Sequence, residues 1–138
     1  MNVFIFQSIV DRYDLRDKLE PNKKDTWYAT RYRNELKVGD IVFFWMGGKK
    51  ELTGIYGWGK IISEPYLKDI WESYGIDIQY EYKFKSPIHV SFLKNDKILK
   101  ELMVIRAPVG TNFLVTIEQV NRLLHVIESV NEKSPKID

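Results

Sequence analysis

The chain contains no cysteine in its 138 residues. That excludes disulfides, thiolate zinc sites and cysteine nucleophiles, and it predicts a cytoplasmic setting. Histidine is almost as scarce. His89 and His125 are the only two, without metal-ligand spacing, and each reads as a structural or surface residue. No Gly-Lys-Ser/Thr phosphate loop occurs, and Gly57-Trp58-Gly59 does not open a helix as a dinucleotide fingerprint must. Asp40, Glu64 and Asp69 are too scattered to form a working carboxylate pair, and no nucleophile–base pair is visible, so the chain reads as a non-enzyme. No apolar run approaches membrane-spanning length. The opening MNVFIFQSIVDRYD lacks the basic start and small-residue cleavage site of an export signal.

What is present fits one globular domain, large enough to bury a core without a disulfide or metal staple. Hydrophobic residues make up 44% and charged residues 29%, with a net charge of +2. This mild basicity is compatible with nucleic acid but does not argue for it. Residues 1–132 read as a single domain and residues 133–138, with NEKSPKID around them, as a polar tail.

Val3 to Val10 is an apolar run without a helix cap, hence a buried strand. Asp14 suits the cap of a short helix through Leu19, and Glu20 to Asp25 reads as a polar loop. Trp27 to Tyr32 is strand-like, and Arg33-Asn34-Glu35 turns it. The turn Val38-Gly39-Asp40 precedes a strand from Ile41 to Met46, and Leu52 to Ile62 is the next. Gly54, Gly57 and Gly59 in that strand predict the close approach of another backbone or a flat ligand. Strict alternation places Tyr56 and Trp58 on one face, and Ile55 and Ile61 on the other. After a helical turn within Leu67 to Tyr74, Ile76, Ile78, Tyr80, Tyr82 and Phe84 alternate along one face of a half-solvated strand. Ile88 to Phe92 and Met103 to Ile105 read as short strands, with a short helix capped at Asn95 or Asp96 between them. Thr116 and Gln119 form a capping box for a last helix with an apolar stripe from Ile117 to Val130. Together these elements predict an α+β fold: a curled β-barrel of five to six strands with flanking helices and a C-terminal helix.

The aromatic residues are unevenly spread. Nine of the nineteen, and three of the four Trp, fall between Trp27 and Tyr66, beside glycines, arginines and turns. Leu or Val fills an ordinary core without needing a partner for an indole N–H. Two readings follow: Trp residues that are only core, or an aromatic pocket that stacks a base at about 1–3 kcal/mol. In the second, Trp27, Trp45 and Trp58 are the walls, with Tyr32 beside them. Arg31, Arg33, Lys49 and Lys50 meet phosphates, and the amides of Gln7, Asn34 and Asn112 suit a base edge.

The pattern Trp27…Arg33-Asn34…Lys37-Val38-Gly39-Asp40-Ile41-Val42-Phe43-Phe44-Trp45, then Gly54-Ile55-Tyr56-Gly57-Trp58-Gly59-Lys60-Ile61 and Pro65-Tyr66, resembles an EVE domain. That family has the PUA-like fold and is related to YTH domains. The resemblance runs over about residues 2 to 130. It implies a curled barrel with a pocket for a methylated or hydroxymethylated base of DNA or RNA, without catalysis, metal or cofactor. It also implies a nuclease or other defence module as a possible partner, in trans or by fusion. By position, Trp27 becomes a pocket wall, Arg33 and Asn34 the rim, and Trp45 the aromatic at a strand end. Trp58 departs from the smaller residue of eukaryotic members. Asn112-Phe113 follows a motif of some prokaryotic members.

The expectation is therefore a module that flips a modified base into an aromatic pocket. The alternative is a small-molecule or peptide sensor using the same cleft, whose binding would ignore salt.

Overall fold

The computed structural model describes residues 1–137. The first apolar run forms β1 (Val3–Ile9). Asp14 caps α1 (Leu15–Lys18) by accepting from the Arg16 amide at 3.0 Å. β2 (Lys24–Tyr28) begins inside the segment expected as a loop and stops before Tyr32. The ladder partner explains the first shift, since Lys24 to Tyr28 pair antiparallel with Gln79 to Gly75. A left-handed backbone at Tyr32, φ 59, ends extended structure. The Gly39 turn, φ 93, leads into β3 (Ile41–Gly47), buried along its whole length. Asp40 secures that turn by accepting from the amides of Lys37, 3.1 Å, and Asn2, 3.2 Å. β4 (Gly54–Ile61) follows, then β5 (Tyr66–Lys68), a 3₁₀ turn over Asp69–Trp71, and β6 (Ser73–His89).

β6 continues through Ser86-Pro87 to His89, which then caps α2 (Val90–Lys94) in place of the strand expected from Ile88 to Phe92. Asp96 accepts from the amides of Ile98 and Leu99 at 3.1 and 3.0 Å and starts a 3₁₀ turn. Met103 to Ile105, expected as a strand, lies in α3 (Met103–Arg106), where it joins no ladder and Val104 is buried in the helical layer. β7 (Asn112–Leu114) and α4 (Ile117–Ser129) complete the chain. The capping box is formed: the Gln119 amide donates to Thr116 Oγ1, and the Thr116 amide to Gln119 Oε1, both at 3.1 Å.

The strands form one curled sheet of order β2-β6-β4-β3-β1-β7, with β5 added to β6. β1 and β3 run parallel in the middle and are apolar on both faces, because both faces are covered. Phe4, Phe6, Val42, Phe44 and Met46 fill the inside of the curl with Ile76, Ile78 and Tyr80. Ile5, Phe43 and Trp45 face outward against α2, α3 and α4.

Register shifts correct two face assignments. On β4, Phe44 pairs with Gly57 but Trp45 with Ile55, so Tyr56 is the extra residue of a bulge. The parity flips there: Trp58 joins Ile55 in the outer core, and Tyr56 joins Ile61 inside. On β6, Trp58 pairs with Tyr82 and Gly59 with Tyr80, leaving Glu81 over. Tyr82 and Phe84 consequently pack outside while Ile76 to Tyr80 stay inside. The close approach expected at the β4 glycines is to backbone. A Cβ at Gly57 would collide with the Tyr82 carbonyl, and one at Gly59 with that of Gln79. The C-terminal segment lies on this outer layer: Trp58 Nε1 donates to the Lys133 carbonyl at 2.8 Å, and buried Glu132 accepts from Tyr82 Oη and the Ser86 amide, both at 3.1 Å.

Candidate functional site

β2 and β7 are the two ends of the strand order, and no ladder joins them. One side chain does. Asn112, fully buried on β7, donates from Nδ2 to the Tyr28 carbonyl at 2.9 Å and accepts at Oδ1 from the Thr30 amide at 3.0 Å. Beside this staple the seam opens into a cavity of about 520 Å³. The end of β1 (Gln7, Ser8) forms its floor. Trp27 and Tyr28 of β2, with Trp71 from the turn before β6, form one wall. Pro108, Gly110 and Thr111, in the loop before β7, form the other.

Trp27 is held rigidly. Its Nε1 donates to Tyr80 Oη at 3.0 Å, and Tyr80 donates onward to Asp25 Oδ2 at 2.7 Å. The Tyr13 hydroxyl donates to the same carboxylate oxygen. Burial, then the hydrogen bond to Asp25, pushes the Tyr80 phenol far above its ordinary value, so it remains a protonated donor. Phe6 and Phe44 lie 6.0 and 5.4 Å from the indole, and Tyr13 meets it edge-on at 5.7 Å. The exposed wall is a second aromatic pair, Tyr28 and Trp71, with ring centroids 4.5 Å apart. Lys68 Nζ lies 4.5 Å from the centre of the Trp71 ring.

The floor has two polar residues with opposite fates. Gln7 is saturated on the loop side: its Nε2 donates to the carbonyls of Pro108 at 3.3 Å and Gly110 at 2.9 Å, and its amide to that of Thr111 at 2.8 Å. Ser8 is 7% exposed, and its Oγ is the only fully buried side-chain polar atom among the described residues without a hydrogen-bond partner. An unpaired buried hydroxyl is destabilising unless something else uses it. Arg12 borders the cavity, Lys68 lies over the Trp71 wall, and the Arg31 guanidinium lies against Gly110, whose φ of 98 is a backbone conformation that favours glycine. None of these three cations makes an ion pair among the described residues.

The structure brings only some of the expected residues together. Trp27 and Gln7 line the cavity, and Asn112 braces it from behind. Trp45 and Trp58 are not walls: both lie in the outer core, Trp58 turned there by the β4 bulge. Phe113 is core as well. Tyr32, Arg33 and Asn34 line a separate polar depression of about 680 Å³, in which the Arg33 guanidinium stacks 4.2 Å from the Tyr74 ring centre. Lys49 and Lys50 are exposed at the start of the 3₁₀ turn Lys50–Leu52 after β3, and neither borders the cavity. The sequence reading missed Ser8, Tyr28, Trp71 and Arg12. Two signals were available: a polar pair interrupting the apolar run of β1, and a fourth Trp in a short turn between Asp69 and Glu72.

A family model for the EVE domain matches residues 2–126. Comparison with curated protein sequences finds no match. Among solved structures, the fold is similar to the DUF55 domain of human thymocyte nuclear protein 1, with TM-score 0.75, 19% identity, and 91% of this chain and 98% of that chain covered. It is similar to the human THYN1 protein in complex with 5-methylcytosine-containing DNA, with TM-score 0.71, 20% identity, and 98% and 100% covered. A hypothetical protein from Leishmania major gives TM-score 0.74 at 15% identity, with 96% and 98% covered. At these identities the likeness is one of fold. The match over residues 2–126 spans most of the sequence, and the chain belongs to the EVE domain family.

Proposed function

We propose that the seam cavity receives a modified base of DNA and binds it without making or breaking a bond. The observation that carries this reading is the cavity itself: aromatic side walls, an unpartnered Ser8 hydroxyl at the floor, and unpaired cations beside them. EVE family membership and the human neighbour's complex with 5-methylcytosine-containing DNA support it. The base leaves its stack and lies against Trp27 and the Tyr28–Trp71 pair. Ser8 Oγ bonds to its edge, and an added methyl fills apolar space near the indole. Arg12, Arg31 and Lys68 meet the flanking phosphates.

The test is fluorescence titration with oligonucleotides that carry cytosine, 5-methylcytosine, 5-hydroxymethylcytosine or N6-methyladenine, at two salt concentrations. Trp27 and Trp71 border the cavity, while Trp45 and Trp58 lie in the outer core and do not line it. One modified oligonucleotide should bind tightest. Trp71→Ala, which removes a half-buried stacking surface, should weaken it about tenfold, within the roughly 1–3 kcal/mol that stacking contributes per base. If three phosphate contacts form, the salt slope should be about −2 to −3. Equal binding of modified and unmodified oligonucleotides would refute the reading. Binding of a small molecule or peptide that ignores salt would favour the sensor alternative.

A further inference from the structure

We infer that the domain takes its base out of duplex DNA, and that Ile70 and Val109, standing on the two lips of the cavity, enter the base stack as the base leaves it. The inference rests on the base-binding reading above and adds the form of nucleic acid and two residues that the cavity itself does not use.

Four large apolar side chains among the described residues are more than three-fifths exposed: Ile70 at 93%, Ile117 at 82%, Val109 at 70% and Val38 at 61%. A single exposed apolar side chain is ordinary. What is not ordinary is that two of these four are chain neighbours of cavity-lining residues, one on each side of the seam. Ile70 precedes Trp71, and Val109 lies between Pro108 and Gly110.

Local geometry explains the division. The 3₁₀ turn over Asp69–Trp71 closes with the Glu72 amide on the Asp69 carbonyl at 3.1 Å, and Glu72 reverses the chain with φ 50. Trp71 folds back onto Tyr28, which leaves Ile70 at the crest. Across the seam, Gln7 Nε2 draws in the carbonyls on both sides of Val109 while the Val109 amide closes on the Ala107 carbonyl at 2.7 Å. The result is a short, internally braced loop with Val109 at its tip. Both crests are preorganised, and both stand among the unpaired cations Arg12, Arg31 and Lys68.

A base removed from a duplex leaves a gap and an orphaned partner. Proteins that unstack DNA insert compact apolar side chains between base steps. A single strand has no partner base to hold apart, and its bases unstack readily, so it needs no such wedge.

The test compares wild type with the Ile70→Ser/Val109→Ser double variant on one sequence containing 5-methylcytosine, presented as a duplex and as a single strand. Both substitutions are at exposed positions, and a thermal melt checks that the fold is kept. The double variant should bind the duplex about tenfold more weakly and the single strand within about twofold of wild type. The duplex deficit should shrink when the target base already faces a mismatch, because that base is partly free beforehand. Equal weakening on both substrates, or no weakening on the duplex, overturns the wedge. The two failures separate cleanly. If wild type prefers the modified single strand and Trp71→Ala abolishes that preference while the double variant leaves duplex binding unchanged, the base pocket stands and the wedge falls. If wild type prefers neither modified substrate, both fall.

Discussion

Ser8→Ala is the substitution whose effects on stability and binding should carry opposite signs. Ser8 Oγ is buried on β1 and has no hydrogen-bond partner. Burying a hydroxyl without a bond costs about 1–3 kcal/mol. We take the lower end, about 1 kcal/mol, because Ser8 as a residue lies beside a cavity and is not enclosed by close-packed apolar side chains on every side. Alanine keeps the Cβ and removes only the orphan. The free protein should therefore gain about 1 kcal/mol, which for a domain of this size raises the melting temperature by about 3 °C. If a bound base uses that hydroxyl, the same substitution removes a net hydrogen bond of about 1 kcal/mol, or about fivefold in affinity. Urea denaturation reads the first effect, and fluorescence titration with the preferred modified oligonucleotide reads the second. A variant that is less stable than wild type would show that Ser8 serves the fold. A variant that binds equally well would show that the floor of the cavity does not read the base edge. Gln7→Leu is the control on the neighbouring position. The Gln7 donors are already used on Pro108 and Gly110, so stability should fall by about 1 kcal/mol rather than rise.

Tyr80→Phe should lower stability by about 1–3 kcal/mol, because it strips the acceptor from Trp27 Nε1 and a donor from Asp25. Burial raises the Tyr80 phenol above its ordinary value of 10.0, so its contribution is complete below pH 10 and is lost as pH rises beyond it. Urea midpoints between pH 9 and pH 11 should thus fall more steeply for wild type than for Tyr80→Phe, and parallel slopes would refute the assignment. Gly57→Ala should destabilise by about 1–3 kcal/mol, since its Cβ meets the Tyr82 carbonyl, a backbone group of a paired strand that cannot swing aside. An unchanged urea midpoint would show that the β4–β6 ladder yields there.

Local patterns announced much of this fold, and non-local pairing decided the rest. The runs at β1 and β3, the Gly39 turn, the Asp14 cap and the Thr116–Gln119 box are each settled within a few residues, and each stands where the sequence places it. The bulges at Tyr56 and Glu81 are different. Both faces of β4 are buried, so alternation of apolar residues there carries no sign of which face is which. Only the count of residues on the partner strand reveals the flip. That flip is what removes Trp58 from the cavity. Met103 to Ile105 shows the same limit, since three apolar residues are too few to carry a period. Among the residues that line the cavity, Trp27 and Gln7 are legible in the sequence as an indole and an amide in unlikely company. Ser8 is not, because its significance is a missing partner, and partners are a property of the folded chain.

The position of the cavity follows from the strand order rather than from any one motif. Curling brings β2 and β7 together without a ladder, so backbone and side chains at that seam have no sheet neighbour to satisfy them. The chain handles this with one brace across the seam, Asn112, and one on each lip: Gln7 on the loop before β7, and the Trp27–Tyr80–Asp25 chain behind β2. The braces use up the donors they involve, and among the described residues Ser8 Oγ alone is a fully buried side-chain polar atom without a partner. A preformed site spends little ordering entropy on binding, so affinity should track stacking and edge contacts directly. An added methyl alone is worth only about 1–3 kcal/mol in an apolar pocket. On the proposed function, sharp discrimination between a modified base and its parent therefore has to come from a polar contact that works only in the correct pose, and the unpartnered Ser8 hydroxyl is the group we propose for it.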